Sequence, residues 1–233
     1  MPTVSYLERR GEIETYFDRT AAEAWARLTS DAPVSGIRAT VRAGRDEMRN
    51  TLLSWLPSDL SGRRLLDAGC GTGVLAVEAA ARGAEVVAID LSPNLVAIAR
   101  ERAAAHGLDR RISHVVGDML DPALGDFDHV VGMDSLIHYD APDVVKVLSG
   151  LAARTSGSIV FTFAPRTPLL AMMHVVGRLF PRGDRAPAIA PVAPDGLGAR
   201  IAGAKGLAGW STGRTRRVAN GFYISQALEL LRA

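Results

Sequence analysis

"LLDAGCGTG", residues 65–73, is the stretch on which the reading of this chain turns. An apolar run ends in a carboxylate, and glycines follow at 69, 71 and 73. Such a run closed by such a turn reads as a buried strand entering a helix, since glycine frees the backbone for a tight bend and a close approach. The next segments agree. "VLAVEAAARG" (74–83) has helical period, and "AEVVAIDL" (84–91) is a second apolar strand. "SPNLVAIARERAAAHG" (92–107) opens on Ser92 as an N-cap, has Pro93 at the first helical position and stops at Gly107. "RISHVVGD" (111–118), "FDHVVGMDSL" (127–136) and "SGSIVFTFAP" (156–165) read as strands, and "APDVVKVLSGLAAR" (141–154) as a helix. Strands alternating with helices imply crossover units and a doubly wound, mostly parallel α/β sheet covered on both faces.

The flanks differ. "GWSTGRTRRVAN" and "GFYISQALELLRA" read as two extended stretches joined near Asn220-Gly221, an antiparallel pair that closes the sheet edge and brings it to seven strands. "SYLERRGEIETYFDRTAAEAWARL" (5–28) and "TVRAGRDEMRNTLLSWL" (40–56) read as helices, so residues 1–60 form an N-terminal helical cap over the ligand side. Residues 165–195, with "PLLAMMHVVGRLF" (168–180), form an insertion after the fifth strand that caps the same side. No polar linker divides the 233 residues, so the expectation is one domain over 1–233.

Composition narrows the function classes. The net charge of +2 and the lack of a Lys/Arg block argue against a nucleic-acid partner. Arg214, Arg216 and Arg217 cluster, which a solvated face explains as well as an anion site does. Cys70 is the single cysteine, which fits a reducing compartment and a small buried residue. "MPTVSYLERR" has no apolar core and is not a signal peptide. No stretch reaches the roughly 18 apolar residues of a membrane span, so membrane contact is at most peripheral and the expected location is the cytoplasm. No metal site is expected.

In a doubly wound sheet, ligands bind beyond the carboxyl ends of the strands, at the first strand-to-helix turn. Here Val74 stands where a dinucleotide fingerprint needs its third glycine, and a G-K-[ST] phosphate loop is absent. Asp67 beside the turn would repel a pyrophosphate and favour a cation. Asp90 ends the second strand, where a carboxylate accepts hydrogen bonds from ribose hydroxyls. Asp118 follows the third strand, within reach of an adenine amine. A nucleoside with a cationic, phosphate-free arm fits this set best, and S-adenosylmethionine is such a ligand.

"LLDAGCGTG" followed by "VVAIDLS" resembles the two leading motifs of class I S-adenosylmethionine-dependent methyltransferases, with their Rossmann-like fold. The resemblance implies that Gly69, Gly71 and the backbone around them, Cys70 included, lie against the methionine part. It puts Asp67 near the amino group, and Asp90 with Leu91 on the ribose. Asp118 and Met119 fall beside the adenine, and Asp134 with the cofactor residues. "MDSLIHYD" (133–140) follows the fourth strand, where this fold holds the transferring methyl, so His138 becomes a catalytic candidate.

The chain as a whole is similar to the magnesium-protoporphyrin IX O-methyltransferase family of (bacterio)chlorophyll biosynthesis. The similarity rests on Tyr16 and Phe17 followed by Trp25, "VRAGRDEMRNTLLSWL", "LIHYD", "FTFAPRTPLL" leading into "VGRLFP", and "FYIS". It implies methyl transfer from S-adenosylmethionine to one propionate of magnesium-protoporphyrin IX, giving the monomethyl ester and S-adenosylhomocysteine, with magnesium present only as part of the substrate. It also implies a partner in the magnesium chelatase step and loose association with photosynthetic membranes. A propionate has a pKa of roughly 4.3 and is already ionised, so the acceptor needs positioning more than a base. His138, matching the family's histidine, would orient it. The ring needs a broad apolar wall, offered by Tyr16, Phe17 and Trp25 or by Leu169, Leu170, Met172, Met173, Val175, Leu179 and Phe180; His174 is a remote candidate for an axial magnesium ligand. The family's tyrosine after the helix tryptophan is replaced by Thr29. Either that role is dispensable, or Tyr16 or Tyr139 fills it, or the local alignment slips; Tyr16 is entered as the second catalytic candidate. Two other readings share these residues: an O-methyltransferase for another small-molecule carboxylate or phenol, and a non-catalytic S-adenosylmethionine-binding module.

Overall fold

The computed structural model describes residues 3–18, 29, 36–166 and 188–233. Among the described residues, α1 (Val4–Tyr16) and α2 (Gly36–Ser54) come first. Then come β1 (Arg64–Ala68), α3 (Val74–Ala81), β2 (Glu85–Asp90), α4 (Pro93–Ala105), β3 (Ile112–Val116), β4 (Phe127–Gly132), α5 (Ala141–Ala152) and β5 (Thr155–Phe163). The chain closes with α6 (Pro194–Gly203), β6 (Trp210–Asn220) and β7 (Tyr223–Arg232). The seven strands run in the order β3-β2-β1-β4-β5-β7-β6. The first five are parallel; β7 is antiparallel to both β5 and β6. The order reverses between β1 and β4, so the carboxyl ends of those strands frame the ligand crevice of the doubly wound fold.

The central strands β1, β2, β4 and β5 are largely apolar on both faces because both are covered. Leu66, Val87, Val130, Ile159 and Phe161 pack with α5 and α6 on one side. Their sequence neighbours Leu65, Val86, Val131 and Val160 pack with α2 and α3 on the other. Each fully buried side chain of this kind contributes about 1.5–3 kcal/mol. Ser92 caps α4 as expected, accepting from Leu95 N at 3.3 Å. Gly73 starts α3 at φ 75°, and a Cβ there would lie 2.8 Å from Ala99 Cβ, so α3 and α4 cross as closely as they do only with glycine at this place.

Several boundaries differ from the sequence expectation. β4 ends at Gly132 and not at 136, because Asp134 adopts φ 56° and breaks the extended run. Helix α6 was not expected: its glycines at 196 and 198 disfavour a helix, and burial of Leu197 and Ile201 against α5 overrides that propensity. Of the 165–195 insertion, residues 167–187 lie outside the described residues, and with them Leu169, Leu170, Met172, Met173, His174, Val175, Leu179 and Phe180. Trp25 lies outside them too. The end of the insertion is tied back to the sheet: Val192 N donates to Ala164 O at 2.8 Å and Arg166 N to Val192 O at 2.9 Å. The basic cluster of β6 is absorbed by the fold. Arg214 bonds the buried Glu229, Arg216 pairs with Glu47 at 2.8 Å, and Arg217 donates to Gln226 at 3.2 Å. Among the described residues, no helix is long and apolar enough to cross a membrane.

Candidate active site

The glycine turn is tied to the end of β2 from both sides. Gly69 N and Cys70 N both donate to Ile89 O at 2.9 Å. Gly71 N donates to Asp90 Oδ2 at 2.9 Å, and Ser92 N to Asp90 Oδ1 at 3.0 Å. One carboxylate thus fixes the β1–α3 and β2–α4 turns together. Burial raises the Asp90 pKa, and these N–H bonds oppose the rise. Gly69 adopts φ 85°, and a Cβ on it would sit 2.4 Å from Ser135 Cβ, which brings the turn against the loop after β4. Burial pushes the Cys70 thiol up, with Asp90 and Asp67 adding to the effect, so this cysteine is held in its inert form.

Asp67, at the end of β1, is 2% exposed, and its Oδ2 has no hydrogen-bond partner. Burial first, and the charge of Asp90 second, push its carboxyl up to about 7. A cation brought beside it would supply the missing partner and pull the pKa back down. In the ligand-free protein the consequence for stability has a definite sign. The folded state holds this proton more tightly than the unfolded chain, whose Asp titrates near 3.9, so the contribution of Asp67 is full below about 4 and is lost as pH rises towards 7. The urea midpoint of Asp67→Asn is therefore expected to gain on the parent's between pH 4 and 7; a difference independent of pH would show that Asp67 titrates normally.

These groups line one cavity of about 1400 Å³, its open mouth included. It holds Asp67, Gly69, Cys70, Gly71, Asp90, Leu91 and Met119 together with Asp134 and His138. Its lid carries Tyr6, Ile13 and Phe17 from the N-terminal segment and Thr29 beyond it; Arg42, Arg45, Asp46 and Arg49 of α2 form a wall. Among the described residues, no three His, Cys, Asp or Glu side chains come together to hold a metal ion.

Three of the sequence candidates have other partners than expected. Asp118 is turned to α1: its Oδ1 accepts from Tyr6 Oη at 2.7 Å and from Leu120 N at 2.8 Å, and its Oδ2 from Arg10 Nη1 at 3.0 Å. The cavity wall there is made by Gly117 and Met119. Asp134 lines the cavity with a carboxylate surrounded by protein donors: Arg45 Nη1 at 2.5 Å, Tyr223 Oη at 3.0 Å, Thr162 Oγ1 at 3.2 Å and Ser225 Oγ at 3.4 Å. These bonds hold a left-handed backbone that costs on the order of 1–3 kcal/mol outside glycine. Tyr16 does not line the cavity. Its ring meets Phe17 edge-on at 5.2 Å, and Phe17 in turn meets His138 at 6.2 Å. The tyrosines on the wall are Tyr6 and Tyr139, stacked at 5.0 Å.

His138 is 6% exposed, with Nδ1 3.4 Å from Ala188 O, a contact that favours a proton on Nδ1 in the neutral ring. Thr29, at the position of the absent tyrosine, accepts from Thr72 Oγ1 at 2.7 Å and so belongs to the glycine turn. Asp18 sits over the start of α4, accepting from Ser92 Oγ at 3.3 Å. Helix α1 is clamped at its other end: Thr3 Oγ1 and Ser5 Oγ donate to Asp143 at 2.5 and 2.7 Å. Sequence reasoning does not single out Tyr6, Arg45, Thr162 or Tyr223. Arg45, Thr162 and Tyr223 lie in segments that carry the family resemblance, and Arg45 is also one of three arginines at one-face spacing.

Comparison with known proteins places this architecture. Residues 132–232 match the model of the magnesium-protoporphyrin IX methyltransferase C-terminus, and residues 65–156 match a methyltransferase domain. The chain is 53% identical to the magnesium-protoporphyrin O-methyltransferase of Rhodobacter capsulatus, over 98% of this chain and 99% of the relative. It is 30% identical to that of Synechocystis sp. PCC 6803, over 99% and 100%. The crystal structure of magnesium protoporphyrin IX methyltransferase from Synechocystis PCC 6803 with bound S-adenosylhomocysteine superposes with a TM-score of 0.82 at 26% identity, covering 95% of this chain and 98% of that one. With its switch-point crevice, glycine turn and strand-end carboxylate, this chain belongs to the magnesium-protoporphyrin IX O-methyltransferase family of class I S-adenosylmethionine-dependent methyltransferases.

Proposed function

We infer that this enzyme methylates one propionate of magnesium-protoporphyrin IX at the expense of S-adenosylmethionine. The observation that carries the reading is one cavity holding both an orphaned buried carboxylate beside a glycine turn and a buried histidine. The cavity fits the cofactor's chemistry. Asp67 Oδ2 lacks a donor that a cationic amine would supply, and Gly69, Cys70 and Gly71 line the cavity beside it. Gly69, Cys70 and Gly71 form that cradle. Asp90, with one accepted N–H on each oxygen, keeps lone pairs for ribose hydroxyls, and Leu91 and Met119 provide apolar walls. Bound there, S-adenosylmethionine supplies the electrophilic methyl group.

The protein's part is to place the acceptor. An ionised carboxylate needs no base; beside this anion His138 takes a second proton, and with Nδ1–H kept on Ala188 O it donates from Nε2 to one carboxylate oxygen and fixes its direction. Phe17 and, behind it, Tyr16 hold the imidazole plane. Asp134 keeps the loop that carries Ser135 and His138 in place, and Asp118 reaches the adenine side through the α1 lid. We read residues 1–233 as one domain, with 1–60 as a helical cap and 165–195 as the second cap. We place the enzyme in the cytoplasm, touching photosynthetic membranes at most at their surface, next to a magnesium chelatase subunit. The single cysteine and the lack of a spanning helix among the described residues support the location, and the family's place after magnesium insertion supports the partner.

The test is mass spectrometry of the pigment after incubation with S-adenosylmethionine, with metal-free porphyrin as the control. One added methyl on the magnesium pigment is the expected result. No methylation alongside tight cofactor binding would remove the porphyrin and leave another carboxylate or phenol acceptor, or a non-catalytic role.

A further inference from the structure

Three arginines of α2, Arg42, Arg45 and Arg49, line the cavity. They stand at i, i+3 and i+7, the spacing that puts side chains on one helix face. The stripe has a direction. Arg49 Nε lies 2.5 Å from Glu78 of α3, on the side of the glycine turn. Arg45 Nη1 lies 2.5 Å from Asp134, just past the end of β4. Arg42 stands one turn further on, about 10 Å from Arg49 along the axis. That end of α2 meets the β6–β7 turn, where Thr40 faces Gly221. The stripe thus starts at the glycine turn and runs past β4 to the far side of the cavity.

Asp67 and Asp90 stand at the turn, while along α2 Arg42, Arg45 and Arg49 line the cavity beside Asp46, with Asp134 held by Arg45. The side chains of Arg45 and Arg49 are only 16% and 18% exposed, so they are part of the cavity and not a solubilising surface. A guanidinium has five N–H donors in a rigid fork; while one edge holds a protein carboxylate, the other can hold a ligand's.

We propose that Arg42, backed by Arg45, is a carboxylate-binding site in the acceptor half of the cavity, and that it holds the acid group that is not being methylated. The proposal rests on the reading of a dicarboxylic porphyrin as acceptor. An apolar wall alone lets a flat ring with two acid arms enter either way round. A fixed cation makes the arms inequivalent: one is neutralised at Arg42 and the other is left beside His138. It also offsets the cost of bringing a second anion out of water.

The test uses the full chain loaded with S-adenosylhomocysteine, titrated with magnesium-protoporphyrin IX and with its dimethyl ester and followed by porphyrin fluorescence. The parent is expected to bind the di-acid roughly ten- to a hundredfold more tightly than the diester, the range of a charged hydrogen-bonded contact. Arg42→Gln should remove most of that ratio, Arg42→Lys should restore part of it, and both should bind S-adenosylhomocysteine like the parent. In turnover, Arg42→Gln should raise KM for the pigment more than it lowers kcat. A second check needs no variant: the di-acid's advantage in the parent should shrink as ionic strength rises. A ratio unaffected by Arg42→Gln, or one independent of salt, overturns the arginine site. A parent that methylates the pigment but binds di-acid and diester alike removes this site and keeps the function. A parent that neither binds nor methylates the pigment removes the porphyrin reading itself.

Discussion

Replacing His138 by alanine is expected to lower kcat about a hundredfold, the cost of misplacing a reacting group, while S-adenosylhomocysteine binds as it does in the parent. The acceptor carboxylate is already a nucleophile, so what the imidazole supplies is direction. Its own direction is over-determined: Phe17 lies against one side of the ring, Ala188 O accepts at Nδ1, and little of the residue reaches solvent. His138→Gln keeps a donor of similar reach and should recover part of the loss, which a purely space-filling role would not predict. Rapid-quench single turnovers, read by mass spectrometry of the pigment, separate the chemical step from product release. Parent-level single-turnover rates in His138→Ala would make the ring a packing element.

Asp90→Ala is expected to weaken S-adenosylhomocysteine binding by about 1.5–3 kcal/mol, roughly ten- to a hundredfold. Two losses add. The ribose hydroxyls lose a charged acceptor, and Gly71 N and Ser92 N lose the group that joins the two turns. Asp90→Asn keeps one acceptor oxygen and should fall between parent and alanine. Calorimetry on the three proteins reads this directly, and an alanine variant with the parent's affinity would end the ribose assignment.

The contrast between these residues and the others shows what a sequence can carry. The parallel half of the sheet is legible because its strands are short, largely apolar runs bounded by a turn or a cap, and Ser92, Pro93 and Gly107 punctuate α4 by local rules. Asp90 is legible for the same reason, since a residue closing a strand lies in the crevice whatever the rest of the chain does. Asp118 follows a strand too, yet its partners are Tyr6 and Arg10, more than a hundred residues earlier, and no local pattern announces them. Asp134 is the same case, with partners on α2, β5 and β7. Tyr16 enters through the resemblance of the "YF" segment, whereas Tyr6 is placed by the direction of α1 across the strand ends, which the bonds to Asp143 and Asp118 fix. Helix α6 lay beyond propensity altogether, since its glycines argue against what its buried Leu197 and Ile201 enforce.

The placing of β7 between β5 and β6 bears on how the protein is made. The strand nearest the C-terminus is an interior strand, with Ala227 and Leu230 fully buried, and Gly44 of α2 sits directly against Tyr223. Helix α2 leaves the ribosome well before β7, so it can settle on β1 and α3 but lacks the β6–β7 part of its seat until those strands emerge. Pairings that span so much of the chain are slow to form. The arginine wall, the Asp134 knot and the open flank of β5 are therefore settled last and together. A growing chain displays the parallel half of its sheet long before it owns a working cavity, and during that interval the bare edge of β5 is the surface a chaperone would have to shield.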